Sequence, residues 1–260
     1  MHLFTAEALI LDVFDLHDRD RIVTFLTREQ GKKRGVARGA RAKHSRFAGQ
    51  LQPLARVEVT WFEKEGRDLA RISSVDLLRP AHRLQADLEG ILTGCYLADH
   101  ALEFAQENEA SELLYRLLDS TVDALLQGVD RDLAARYFEA WVLRLAGIFP
   151  PPHACPACGA PLAGGAALAS GGDSLVCAAC GRGAGALRVE PEVVAWLCRI
   201  GREGLPALAA DTAAPTAPAA AAILRRVEAL CARIRRQFLQ RELRSYDDIH
   251  DVLQKTRSAV

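Results

Sequence analysis

Four cysteines carry the most specific chemistry in the chain. Cys155-Pro-Ala-Cys158 and Cys177-Ala-Ala-Cys180 form two C-x2-C pairs with eighteen residues between them. Each pair can hold two thiolates about 4 Å apart on a tight turn, half of a tetrahedral Zn²⁺ shell with Zn–S of about 2.3 Å. Gly159 and Gly181 follow the two pairs, where a left-handed backbone would let amide N–H groups turn toward sulfur. Two disulfides would need an oxidising compartment, and a redox C-x-x-C would need only one pair in a thioredoxin-like setting. Structural zinc is the favoured reading, since it uses all four thiols and needs no oxidising compartment. Four thiolates leave no open position for water, and no H-x-E precedes a P-C-x-x-C in deaminase fashion. Cys95, Cys198 and Cys231 fall at helical core positions and read as small buried hydrophobes.

The second feature is a run of cations. Between Gly31 and Arg46 stand Lys32, Lys33, Arg34, Arg38, Arg41, Lys43 and Arg46, with no Asp or Glu among them. The whole chain has 33 basic and 33 acidic residues, so with seven positive charges in this window the remainder carries seven net negative ones. Small residues and glycines lie between the cations, so a phosphate backbone could approach closely while the long side chains neutralise it. A weaker set lies on the last expected helix. At about 100° per residue, Arg225, Arg226, Arg233, Arg236 and Arg244 share one sector, opposite Ile223, Val227, Leu230, Ile234 and Phe238. That second stripe could extend a DNA track or meet an acidic partner.

The elements that must position these groups fall into two regimes. Residues 1–80 read as β. Glu7–Phe14, Arg21–Thr27, Lys33–Ala37, Arg56–Trp61 and Leu69–Leu77 are five short strands, with a long loop after the third. That pattern suits a small closed barrel such as an OB-fold. Adjacent Trp61 and Phe62 must face opposite sides of their strand. Asp15, His17, Asp18 and Asp20 read as a polar turn between the first two strands.

Beyond Pro80 the period changes to helical. Leu84 to Leu102, Glu112 to Leu126 and Asp132 to Leu145 recur at three- and four-residue steps. Pro150-Pro151-Pro152 is expected to end the third helix. The cysteine insert fills 153–186, helix returns at Glu190 to Gly201, 206–222 reads as an Ala/Pro-rich connector, and a last helix runs from Ala220 to Arg244. The expected organisation is an OB-fold domain over 1–80, a helical domain over 81–152, the zinc insert over 153–186, helical again over 187–244, and a tail over 245–260. The fold class is thus multi-domain, an OB-fold β-barrel followed by an all-α domain with an inserted four-cysteine zinc module.

No stretch offers the roughly 18 apolar residues that a membrane span needs, and the first residues lack a basic leader region. A cytoplasmic protein with reduced thiols is expected. No Walker A loop, G-x-G-x-x-G or G-x-S-x-G is present, and no nucleophile, base and orienting group come together. Neither an enzyme nor a small-molecule substrate is expected.

In its motifs the chain resembles the RecO family of bacterial DNA repair proteins. The resemblance is carried by Phe25-Leu26-Thr27-Arg28-Glu29-Gln30-Gly31, by Val36-Ala37-Arg38-Gly39-Ala40-Arg41, and by Ser45 followed by Leu51-Gln52-Pro53-Leu54. A helical region interrupted by the cysteine pairs continues it. One departure is the first turn, Asp15-Leu-His-Asp-Arg-Asp20, where relatives commonly carry a tyrosine and a glutamate. The resemblance implies an N-terminal OB-fold, a helical C-terminal domain, a zinc module, and binding of single- and double-stranded DNA near the nucleoid. It implies strand annealing, with RecR and the acidic tail of the single-strand-binding protein as partners in loading recombinase. Lys33, Arg34, Arg38, Arg41 and Arg46 would contact phosphates. An alternative from the residues alone is an OB and zinc-ribbon adaptor that binds RNA or protein in transcription or translation.

Overall fold

A computed structural model describes residues 2–181, 186–212 and 217–246. Of the expected insert, residues 182–185 lie outside that range, as do 213–216 of the connector and all of the tail from 247 onward. The described chain forms two compact units, one up to Gln127 together with the segment from Leu243, the other Gly128–Glu242.

The first unit contains five strands: β1 (His2–Leu16), β2 (Asp20–Thr27), β3 (Gly31–Ala37), β4 (Arg56–Glu63) and β5 (Ala70–Arg79). They close in the order β1-β2-β3-β5-β4. Closure depends on the length of β1, whose N-terminal half pairs with β4 and whose C-terminal half pairs with β2, with an irregularity between Ile10 and Asp12. A bulge of this kind bends a strand so that it can serve two neighbours. Ile10, Val23, Phe25, Val57, Val59, Trp61, Ile72 and Val75 fill the barrel. The strand period of two sends Leu9 and Leu26, directly opposite one another, to the other face. They are fully buried there, on the side where α1 packs on β1 and α2 on β2.

Helix α1 (Leu88–Phe104) starts at Asp87, whose carboxylate accepts from Gly90 N at 2.8 Å. Helix α2 spans Glu112–Leu126. Arg79 of β5 donates to Asp119 and Asp123 of α2, each at 2.7 Å, and Arg56 reaches Asp119 at 3.1 Å. These pairs tie the helix to the β4–β5 edge.

The second unit packs α3 (Arg131–Leu145), α4 (Pro191–Ile200), α5 (Leu205–Thr212) and α6 (Ala217–Leu239), with α6 touching α3 and α4. Three sequence expectations are corrected here. Helix α3 ends before the three prolines. Gly147, at φ 72, donates to Arg144 O, and Ile148 N reaches back to Leu143 O at 3.0 Å. This left-handed cap closes the helix without proline's help. The connector holds all of α5 but its first residue, and the start of α6. Pro206 and Pro218 are each the second residue of a helix, where the missing N–H has no partner to lose, and the alanines around them favour helix. The last helix stops at Leu239, so Arg244 is not on it. Among the described residues, no helix is long and apolar enough to cross a membrane.

Candidate functional site

The insert between α3 and α4 builds its own support. Strands β6 (Ala166–Leu168), β7 (Leu175–Val176) and β8 (Leu187–Val189) form a small sheet in the order β7-β6-β8. Leu168 and Leu175 of this sheet are buried, as is Leu162 before it. Cys155 N donates to Ala160 O and Gly159 N to Cys155 O, both at 2.8 Å. Cys180 N and Gly181 N both return to Cys177 O. Two tight knuckles result, and the sheet sets them face to face.

The four thiols of Cys155, Cys158, Cys177 and Cys180 converge, with their sulfurs all within 4.8 Å of one another and Cys158 Sγ 3.7 Å from Cys177 Sγ. Cys155 is buried and Cys158 and Cys180 are exposed. N–H groups are aimed at sulfur. The amide of Cys177, with those of Ala157 and Cys158, pulls the Cys155 thiol down to about 6. The neighbouring thiols of Cys158 and Cys177 push Cys180 up to about 12. Four soft donors that crowd one another and are met by amide dipoles suit a closed tetrahedral metal site. Gly159 has the expected left-handed backbone, φ 75. Gly181 does not, and is required for space: a Cβ there would lie 2.9 Å from Ala167 Cβ.

Of the remaining cysteines, Cys231 is the buried hydrophobe expected, whereas Cys198 and Cys95 differ from expectation. Cys231 is fully buried and its thiol pushed well up by that burial. Cys198 is half-buried, 3.5 Å from His153 Nδ1, and Cys95 is exposed. A helical period locates a face but not whether anything covers it.

The basic run divides by strand parity. On β3, Lys33, Gly35 and Ala37 point into the barrel and Arg34 and Val36 outward, with Arg38 continuing the outward series. Lys33 is buried, its ammonium 2.7 Å from Glu63 Oε1 and 5.8 Å from the Phe4 ring centre. Glu63 also accepts from Trp61 Nε1 at 2.7 Å. Burial raises the Glu63 carboxyl, but hydrogen bonds from Lys33 and Trp61 outweigh it and leave the group below its usual range. Lys32 turns aside to donate to Leu102 O at 2.6 Å, where its backbone also pairs with the segment after α1. Burial pulls its ammonium below the ordinary lysine range, although Glu107 and Glu103 oppose this.

Arg34, Arg38, Arg41, Lys43 and Arg46 are exposed. The loop after β3 is not a free tether. Phe47, Leu51 and Leu54 anchor it in the core, and Gly39 N donates to Asp20 Oδ1 at the start of β2. The Arg46 guanidinium lies over the Phe47 ring at 4.9 Å. Arg41 is 3.4 Å from Asp15 and donates to His17 O. Among the described residues, Arg34, Arg38, Lys43 and Arg46 have no carboxylate within ion-pair distance. Lys33→Ala should therefore act on stability. We expect a melting point several degrees lower, because Glu63 loses its buried partner. Arg38→Ala should leave melting unchanged, and thermal denaturation of the two variants checks this.

The second arginine set is less open. On α6, Arg225, Arg226, Arg233 and Arg236 are exposed. Arg226 lies 3.6 Å from Glu190, and Arg236 pairs with Glu242 at 3.1 Å. Arg244 lies beyond the end of α6 at Leu239, so the five do not share one helix face.

A family profile described as Recombination protein O N terminal matches residues 1–81, and one described as Recombination protein O C terminal matches residues 85–247. A protein named DNA repair protein RecO from Anaeromyxobacter sp. (strain K) is 36% identical over 211 residues, 80% of this chain and 83% of the relative. The DNA repair protein RecO of Geobacter sulfurreducens is 36% identical over 183 residues, 70% of this chain and 74% of its own. That of Myxococcus xanthus is 34% identical over 162 residues, 61% and 65% of the two chains.

Proposed function

The chain belongs to the RecO family of DNA repair proteins, and from that premise we propose that it is a non-catalytic mediator that binds DNA, anneals complementary single strands and helps load recombinase. The observation that carries this reading is the outward series on β3 and the loop beyond it, Arg34, Arg38, Arg41, Lys43 and Arg46, of which only Arg41 faces a carboxylate among the described residues. Five exposed cations on one strand and its loop, in a chain with no net charge, concentrate a field that the total conceals. Two strands held on one cationic surface repel each other less, so their bases can search for complements at low cost in free energy.

RecR and the acidic tail of the single-strand-binding protein are the partners proposed with this role. The exposed arginines of α6, Arg225 and Arg233 above all, offer an acidic segment its counter-charges. The four cysteines are proposed to hold Zn²⁺ as a structural ion, which would supply folding energy to the insert and no bond-breaking chemistry.

If about five phosphates are neutralised, log affinity for single strands should fall with log salt at a slope of about −3.5. Between 50 and 200 mM salt, affinity should drop on the order of a hundredfold. Fluorescence anisotropy with a labelled oligonucleotide across that range measures it. Changing Arg34, Arg38, Arg41 and Lys43 together to Ala should flatten the slope to about −0.7 and abolish annealing. A salt-independent wild type, or a preference for RNA, would overturn the reading.

A further inference from the structure

The barrel carries a second property on the face that presents Arg34 and Arg38. The strand register sets six residues directly opposite one another, strand by strand. Phe14 of β1 pairs with Ile22 of β2, Ile22 with Val36 of β3, and Val36 with Arg71 of β5. Arg71 pairs with Phe62 of β4, and Phe62 with Leu3 at the other end of β1. Residues directly opposite in a sheet point to the same side. Their chain neighbours Val13, Val23, Ala37, Ile72, Trp61 and Phe4 all face the barrel core, so this row faces outward.

The row is open. Leu3 is 59% and Phe14 46% exposed, Arg71 is exposed, and Ile22, Val36 and Phe62 are half-buried. Phe14 and Phe62 have no ring partner among the described residues. Across five strand-to-strand steps of about 4.8 Å, the row runs about 24 Å.

Charge decides what such a surface takes. Val36 sits at the row's centre, with Arg34 and Arg38 two residues to either side on the same face and Arg71 directly across. None of the three arginines has an ion pair among the described residues. Three uncompensated guanidiniums around an aliphatic point would repel a basic or purely apolar partner. They fit a polyanion that also carries flat apolar groups, which describes a single nucleic-acid strand, whose bases are free, and not a duplex, whose bases are stacked away. Two rows further along, Glu7, Glu58 and Asp76 stand opposite one another and exposed. They confine a polyanion to the side of the arginines.

Resting on the DNA-binding reading above, we propose that the row Leu3–Phe62–Arg71–Val36–Ile22–Phe14 is a base-contacting track for single-stranded DNA. Phe14 and Phe62 offer ring faces to bases, and Arg34, Arg38 and Arg71 hold the phosphates. Aromatic stacking adds a contribution that salt does not screen, in a length of about four nucleotides.

The test measures affinity of the full chain for an oligothymidylate and for a blunt duplex over a range of salt. Phe14→Ser with Phe62→Ser should weaken single-strand binding roughly five- to thirtyfold at every salt concentration, with the slope and the duplex affinity unchanged. Leu3→Ser with Phe14→Ser, at the two most exposed apolar positions of the row, gives the same pattern at smaller size in a chain whose fold is not at risk. Arg34, Arg38 and Arg71 changed to Gln should flatten the slope by about 2 on single strands and weaken duplex binding too. Belt variants that bind single strands as wild type does, or that lose single strands and duplex equally, overturn the track and leave the cationic reading standing. A wild type that binds neither overturns both.

Discussion

If the four cysteines hold a metal as proposed, Cys155→Ser should release it and unfold the insert, while leaving the barrel and the DNA affinity proposed for it in place. The insert has little else to hold it. Its strands are three, two and three residues long, far below what an isolated sheet needs, and its buried side chains are few, chiefly Leu162, Ala166, Ala167, Leu168 and Leu175. Structural zinc in finger peptides contributes about 10–16 kcal/mol at neutral pH, and where the site forms only on folding that energy is folding energy. Cys155 is the innermost ligand candidate, 1% exposed, and a serine hydroxyl is a poor substitute for thiolate. Elemental analysis should find about one metal ion per wild-type chain and almost none in the variant. Thermal scans should show an earlier transition in the variant, and oligonucleotide affinity should stay within about twofold because the exposed cations of β3 lie in the first unit. A variant that keeps its metal, or melts as wild type does, would refute a structural role.

The parts that could be read in the sequence are those whose signal is local. The five strands announce themselves by alternation and β-branching, and all five form, although β1 runs further at both ends than its apolar run suggests. The cysteine pairs are legible because tetrahedral coordination needs that spacing. The division of the basic run is harder. Lys33 and Arg34 are adjacent cations, and which one faces inward depends on what lies beneath β3. A local clue does exist. The parity that contains Lys33 also contains Gly35 and Ala37, the smallest residues of the strand. A Cβ on Gly35 would sit 2.8 Å from Ile72 Cγ1, so the tight interior belongs to that parity.

The row from Leu3 to Phe14 had no such clue. Its six members come from five strands, and only the pairing register, with a register shift near Ile10 and another near Thr60, brings them together. Nor does any window reveal that Cys95 lies on an uncovered side of α1, since exposure is decided by which helix faces are left without a neighbour.

Glu139→Ala should destabilise the second unit by about 3–5 kcal/mol, the penalty typical of removing one partner from a buried ion pair. Glu139 of α3 is completely buried, as are Arg136 one turn before it and Arg235 of α6. Arg136 donates to Glu139 Oε2 at 2.7 Å and Arg235 to Oε1. Arg235 also reaches Glu242 at 2.6 Å, and Arg136 lies 3.9 Å from Asp132. One carboxylate thus faces two guanidiniums, and its loss leaves both buried with a partner missing. Arginine cannot escape by releasing its proton in the accessible range, so the protein must either unfold locally or admit water. Hydrogen exchange distinguishes the outcomes. Amides of α3 and α6 should lose protection by two to three orders of magnitude, about 1.4 kcal/mol per factor of ten, while those of Val23 and Val57 in the barrel keep theirs. The pair is costly to break rather than strongly stabilising in itself. Changing Arg136, Glu139 and Arg235 together to Leu or Met of similar volume should therefore restore most of the loss, and a triple variant less stable than Glu139→Ala would contradict this account.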